Sequence, residues 1–223
     1  MNSERKAAII VGVLFITATV AYSLSVILVT PVLSSTDHLV LAAEKDRDLM
    51  IGSLLVLVDA IAVAGIGIVI YPILKRYSET LALGYTGARL AEGVLFAINV
   101  IPILILMTLG QEFVKAGTPD TSYYQTLGSL LLAAADWTFL LGFAVAFTIS
   151  AFILNYVLFI SRLVPRWISV WGFAGALLLW VYYLLQAFGI AQADILFVPI
   201  AVQEMVFAVW LIIKGFDIQE HNT

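Results

Sequence analysis

Long apolar stretches, separated by short polar segments, recur along this chain. They cover residues 7–33, 49–73, 81–109, 127–160, 167–189 and 193–214. Each is longer than the roughly 18 residues that a helix needs to cross about 30 Å of hydrocarbon. A lone apolar segment in lipid can satisfy its backbone only as an α-helix. The pattern therefore predicts an all-α polytopic membrane protein, with residues 1–223 forming a single bundle of six transmembrane helices.

Three details of the pattern carry local expectations. The stretch 127–160 is too long for one perpendicular helix, and Gly128 or Gly142 is expected to mark a bend. Residues 34–48 alternate between apolar and charged and predict a short helix on the surface. The small residues of "AGIGIVIYP" (64–72) predict a face on which two helices pack closely.

Composition agrees with the membrane assignment and narrows the chemistry. Hydrophobic residues make up 62% of the chain and charged residues only 12%, against roughly a quarter charged in soluble domains. The absence of cysteine excludes disulfides, thiolate metal sites and thiol catalysis. His38 and His221 lack partners at metal-ligand spacing, and both are expected in solvent. No catalytic motif, metal site, cofactor site or basic tail for nucleic acid is predicted, so an intramembrane enzyme is the least favoured class.

Basic residues predict the orientation. With six spans, both termini lie on the same side of the predicted bundle. That side carries seven lysines and arginines, and the opposite side carries three. By the positive-inside rule, both termini lie in the cytoplasm and the protein resides in the cell membrane. The seven are Arg5, Lys6, Lys75, Arg76, Arg162, Arg166 and Lys214, and the three are Lys45, Arg47 and Lys115.

Five polar residues lie deep within the predicted spans: Asp59, Arg89, Glu92, Asn99 and Glu204. A charge at the centre of a spanning helix costs roughly 2.5–3.5 kcal/mol, so such residues usually face the bundle interior. At about 1.5 Å per residue, Arg89, Glu92 and Glu204 lie about 12–16 Å from the inner surface, and Asp59 about 24 Å, level with Asn99. Depth therefore predicts one layer of Arg89, Glu92 and Glu204, with Asp59 and Asn99 in a second layer above it.

The residues leave the role of this cluster open. One arginine between two carboxylates neutralises buried charge and fixes helix packing without any ligand, as in a structural or partner-binding membrane subunit. Three deep carboxyl groups nevertheless face a single guanidinium, and the surplus acid needs a proton, water or a cation. The cluster then serves a transporter-like or sensor-like role toward a proton, a cation or a small ligand. A lipid headgroup or another anion on Arg89 is a further alternative, and membrane lipids are the expected partners.

Several segments resemble one known family. "LLVLVDAIAVAGIGIVIYPILK" and "LALGYTGARLAEGVLFAIN" carry an Asp before an aliphatic-Tyr ending and an Arg-x-x-Glu with a later Asn. "ISRLVPRWISVWGFAG" and "QEMVFAVWLIIKG" add a Pro-Arg turn and a final Glu, Trp and Lys-Gly. Together they resemble the bacterial and archaeal six-span family catalogued as domain of unknown function 4386.

The resemblance implies a six-span fold but no activity. It also implies that Asp59, Arg89, Glu92 and Asn99, which depth alone selects, are characteristic positions of the family. The chain departs from the family in the fourth span, where "FTISAFILNY" places Ser150 at the position usually held by a histidine. No role can therefore be carried over for that histidine.

Overall fold

Within residues 3–118, 122–190 and 194–217, the parts of the chain that the computed structural model describes, every regular element is a helix. These elements include a π-helical segment, Leu141–Phe147, and a 3-10 turn, Asp194–Leu196. The α-helices are α1 (Ser3–Leu33), α2 (His38–Glu44), α3 (Asp46–Leu74), α4 (Glu79–Lys115), α5 (Ser122–Leu140), α6 (Thr148–Ser161), α7 (Arg166–Ala187) and α8 (Val198–Ile213).

Five helical segments are long and apolar enough to cross a membrane. They are α1, α3, α4, the combined segment Tyr123–Ser161 and α7, whereas α8 is apolar but has only 16 residues. The predicted sixth span is thus α-helical only from Val198, with Pro199 in its first turn, and the 3-10 turn precedes it. Its predicted start at residue 193 lies outside the described residues. The architecture is that of a helical membrane bundle, as the apolar pattern predicts.

The long helices form a ring of neighbours. α1 packs against α3 and α8, α3 packs against α4, and α4 contacts α5, the π-helical segment and α6. α7 then packs between α6 and α8, which closes the ring. We call the end where α1 begins and α8 finishes the termini end. A large apolar core fills the bundle near that end, where Ile70, Leu158 and Leu211 are all buried.

Glycines let α3 and α4 approach closely. A Cβ atom on Gly67 would lie 2.9 Å from the Cβ of Arg89, and a Cβ atom on Gly93 would lie 2.7 Å from the carbonyl oxygen of Ala60. Real Cβ atoms essentially never show contacts this short. The stretch 64–72 therefore packs closely against α4, as the small residues predict.

The long fourth segment changes its helical repeat instead of running as one regular α-helix. The change falls at the π-helical segment, which contains Gly142, one of the two expected positions. A Cβ atom on Gly142 would lie 2.7 Å from the Phe96 ring, so this glycine also lets the segment contact α4. Gly128 lies within α5 and marks no such change.

The short helix expected in residues 34–48 is present as α2, but one expectation about it is wrong. His38 is not in solvent: it is 6% exposed and lies against Gly128 of α5. The reason is that α2 packs onto α4 and α5 and buries Leu39 and Ala42. His221 lies outside the described residues.

We predict that Gly93→Ala lowers the thermal unfolding temperature, because the added methyl group meets the Ala60 carbonyl and overpacking costs about 1–3 kcal/mol. Gly87→Ala is the matched control in the same helix, since a Cβ atom there meets nothing within 4 Å. It should leave the unfolding temperature unchanged or raise it. Equal effects of the two substitutions would contradict the close contact between α3 and α4.

Candidate functional site

Arg89 lies at the centre of the bundle, 2% exposed. Its Nη1 atom donates to the two Glu92 carboxylate oxygens at 3.0 and 3.2 Å, and Nη2 donates to Glu204 Oε1 at 3.3 Å. Its Nε atom donates to the Tyr85 hydroxyl at 3.1 Å. Tyr85 and Glu92 lie on the same face of α4 as Arg89, because residues three or four apart are neighbours on a helix. Glu204 comes from α8, so the ion pair joins elements distant in sequence.

Two phenylalanines also contact the Arg89 guanidinium. Its Cζ atom lies 5.2 Å from the centre of the Phe15 ring and 5.3 Å from that of Phe147. An arginine within about 6 Å of a ring centre is attracted to the aromatic face. The guanidinium therefore has hydrogen-bond acceptors around its edge and aromatic rings against it. Its charge is compensated entirely by the protein.

A cavity adjoins this ion pair in the middle of the ring. Its volume is about 80 Å³, whereas a single water needs roughly 10–15 Å³. Asp59, Arg89, Glu92 and Glu204 all line it, together with mostly apolar and aromatic side chains. The cavity is thus large enough for several waters or a small ligand group, and three carboxyl groups reach it.

Asp59 differs from the other acids of the site. It is 3% exposed and lines the cavity, yet among the described residues its carboxyl group makes no hydrogen bond or ion pair. It lines the same cavity as Glu92, Arg89 and Glu204. The close approach of Ala60, the next residue, to Gly93 holds Asp59 beside α4. The site therefore contains one buried carboxyl group that the protein leaves unpaired.

Asn99 is separated from the other four predicted residues. It does not line the cavity, and its Nδ2 atom donates to the Ala135 carbonyl oxygen at 2.6 Å and to Thr138 Oγ1 at 2.9 Å. These bonds fasten α4 to α5. The structure thus brings together Asp59, Arg89, Glu92 and Glu204, whereas Asn99 joins two helices elsewhere.

Aromatic residues close the side of the cavity away from the termini end. Tyr22 of α1 stacks on Phe139 at 5.9 Å and packs against Phe143 at 5.4 Å, and Phe96 lies 5.0 Å from Phe143. Sequence reasoning missed these residues, as it missed Phe15 and Phe147. Their spacing gives no signal, since aromatic residues are frequent throughout the chain.

Tyr85 is the one missed partner that sequence could have revealed. It precedes Arg89 by four residues, the spacing at which helical side chains meet.

Across the described ranges, no group of three histidine or acidic side chains is arranged to hold a metal ion.

The long apolar helices and the buried ion pair define a helical membrane protein. Residues 10–215 match the model of the family described as domain of unknown function 4386 (DUF4386). The chain therefore belongs to this family, as the resemblance predicts. Neither the curated proteins nor the solved structures include a match.

We predict that Arg89→Met destabilises the protein by about 3–5 kcal/mol, because it leaves Glu92 and Glu204 buried without their partner. Arg76→Met is the control. It removes an ion pair with Glu4 in which both side chains are partly exposed, and such pairs contribute about 1 kcal/mol or less. Unfolding followed by tryptophan fluorescence measures both. Similar losses in the two variants would contradict the central role of Arg89.

Proposed function

We propose that the protein is a small transporter-like or sensor-like membrane unit that binds a cationic group at Asp59 in its central cavity. The observation that carries this proposal is a buried, unpaired carboxyl group facing a space large enough for water. Intramembrane ionisable residues that face a cavity usually mark ligand or ion sites. Cationic occupants of this kind range from a proton to an ammonium group.

The charges of the cavity favour a cation over an anion. Both arms of the Arg89 guanidinium are already occupied, by Glu92 and by Glu204. An anionic ligand would have to displace one of these carboxylates and would leave it buried beside Asp59. A cation would instead balance the surplus of carboxyl groups. A lipid phosphate on Arg89 is therefore a poorer occupant than an ammonium group.

The second candidate is a structural or partner-binding subunit, and it too has an observation in its favour. Arg89 is fully paired, and with Glu204 it ties α4 to α8 without any ligand. Asp59 takes no part in these bonds. A role limited to locking the helices does not explain why an unpaired acid occupies so costly a position. The binding role explains both features.

We further propose six spans in the cytoplasmic membrane, with both termini inside. Together the 3-10 turn and α8 run from Asp194 to Ile213, about 30 Å at the usual rises per residue, which supports a sixth crossing. α8 ends beside the start of α1, where Arg5 donates to the carbonyl oxygens of Leu211 and Ile212. The excess of basic residues at this end supports an inside location.

The absence of native cysteines allows a direct test of this orientation. Thr36→Cys and Thr80→Cys place exposed thiols on opposite ends of the proposed bundle. An impermeant maleimide should label Thr36→Cys in right-side-out vesicles and Thr80→Cys in inside-out vesicles. The reverse labelling would contradict the orientation, and labelling of both from one side would contradict the arrangement of the spans.

The binding proposal predicts that methylammonium raises the unfolding temperature of the protein in lipid nanodiscs and that Asp59→Asn abolishes the rise. Asparagine keeps the shape of the side chain but removes its charge, so affinity should fall at least about tenfold. Asp136→Asn is the matched control, because Asp136 is an exposed aspartate of α5 outside the cavity. It should respond as the wild type does.

Two other results would contradict binding at Asp59. One is an equal response of the wild type and Asp59→Asn to methylammonium. The other is no response of either protein to any ammonium probe, while Asp59→Asn unfolds at the wild-type temperature. That second result would leave the helix-locking role as the better account.

A further inference from the structure

The cavity has an opening on the perimeter of the bundle. Most of its lining is buried, but Ser23 is exposed and Phe197 is 42% exposed. Ser23 lies on α1, and Phe197 directly precedes α8. Thr19 and Ala201, one helical turn from them, also line the cavity and are half-buried. The cavity therefore reaches the surface between α1 and α8.

Packing between α1 and α8 places this opening in the half of the bundle away from the termini end. Nearer that end the two helices are in tight contact, since a Cβ atom on Gly12 would lie 2.6 Å from the Ala208 carbonyl oxygen. Phe15 packs edge-on against Phe207 with ring centres 5.5 Å apart. Farther from the termini end, the side chains of Thr19, Ser23 and Ala201 are small or polar. They leave open the space that the Phe15 and Phe207 rings fill nearer that end.

The rim of the opening is apolar. Val20 and Leu24 flank it on α1, Val198 and Val202 flank it on α8, and all four are exposed. In a spanning bundle such residues face the hydrocarbon chains of the lipid. A hydrated ion at this opening would have to shed its water in the lipid. A molecule with a hydrocarbon chain would already be dissolved there.

The interior of the cavity suits a different chemical group from the rim. Asp59 and Glu204 place carboxyl groups in the cavity lining. The side chain of Glu204, on α8, is 18% exposed. Tyr22, Phe96 and Phe143 present aromatic rings that are not in contact with Arg89. Carboxylates with aromatic faces are the surroundings in which proteins hold an ammonium group.

We infer that the cavity takes an amphiphilic ammonium, a hydrocarbon chain that carries a protonated amine, and that this ligand enters sideways from the bilayer between α1 and α8. Its ammonium group lies against Asp59, and its chain leaves past Phe197 into the lipid. The inference rests on the proposed cation site and adds to it the class of ligand and its route.

The test compares three probes on the protein in lipid nanodiscs: dodecylammonium, methylammonium and dodecanol. At equal total concentration, dodecylammonium should bind at least about tenfold more tightly than methylammonium. Its chain partitions from water into the bilayer with about 0.8 kcal/mol per CH₂, which raises its concentration at the opening. Dodecanol has the same chain without the charge and shows how much of the unfolding-temperature shift comes from the bilayer alone. Asp59→Asn should remove the response to both ammonium probes.

A matched pair of variants tests the route. Ser23→Trp fills the opening, whereas Leu24→Trp adds the same bulk to the neighbouring exposed residue outside the cavity lining. Ser23→Trp should lose the advantage of dodecylammonium but keep the methylammonium response, which also shows that it is folded. Leu24→Trp should behave as the wild type.

The outcomes separate this inference from the proposal beneath it. If methylammonium binds at Asp59 as tightly as dodecylammonium, the amphiphilic ligand is wrong and the cation site stands. If the advantage of the long chain survives equally in Ser23→Trp and Leu24→Trp, the route is wrong. If neither ammonium probe depends on Asp59, the cation site fails and the inference fails with it.

Discussion

The buried Arg89 guanidinium is the charge on which the arrangement of the bundle depends. A charge in an apolar interior is tolerated only when it is paired and its hydrogen bonds are satisfied. Here α4 supplies Tyr85 and Glu92, α8 supplies Glu204, and rings from α1 and the π-helical segment lie against the guanidinium. One side chain thus fixes the relative positions of four elements. It also pairs with two of the three carboxyl groups that line the cavity, which leaves Asp59 without a partner among the described residues.

The cavity exists because the ring of helices is filled unequally along its length. Near the termini end, aliphatic residues close the interior. On the other side of Arg89, the packed rings of Tyr22, Phe139 and Phe143 close it. Between these two layers the small side chains Ala18 and Ala201 leave space. The close contact of α3 and α4 at Gly93 keeps Asp59 at this level. The same packing that stabilises the bundle therefore holds an acid beside the cavity.

Sequence predicted a shared layer for Arg89, Glu92 and Glu204, but its placement of Asp59 level with Asn99 is wrong. Ala60 lies against Gly93, so the neighbouring Asp59 lies level with Glu92. Counting residues from the ends of the spans correctly joined Arg89, Glu92 and Glu204, because distance along a helix is fixed at about 1.5 Å per residue. It could not predict that Asn99 faces α5, since direction depends on how each helix is rotated against its neighbours. The burial of His38 and the π-helical segment were beyond sequence for the same reason: both follow from contacts between helices. The opening between α1 and α8 was likewise beyond pattern reasoning.

We propose that Asp59 is the carboxyl group that binds a cation, whereas Glu92 and Glu204, which pair with Arg89, stabilise the bundle. Infrared difference spectroscopy with isotope-labelled aspartate tests it most directly, because the label separates aspartate from glutamate bands. Adding methylammonium should change an aspartate carboxyl band in the wild type and in Asp136→Asn, and this change should be missing in Asp59→Asn. A change confined to the glutamate bands, or an aspartate change that persists in Asp59→Asn, would contradict the account.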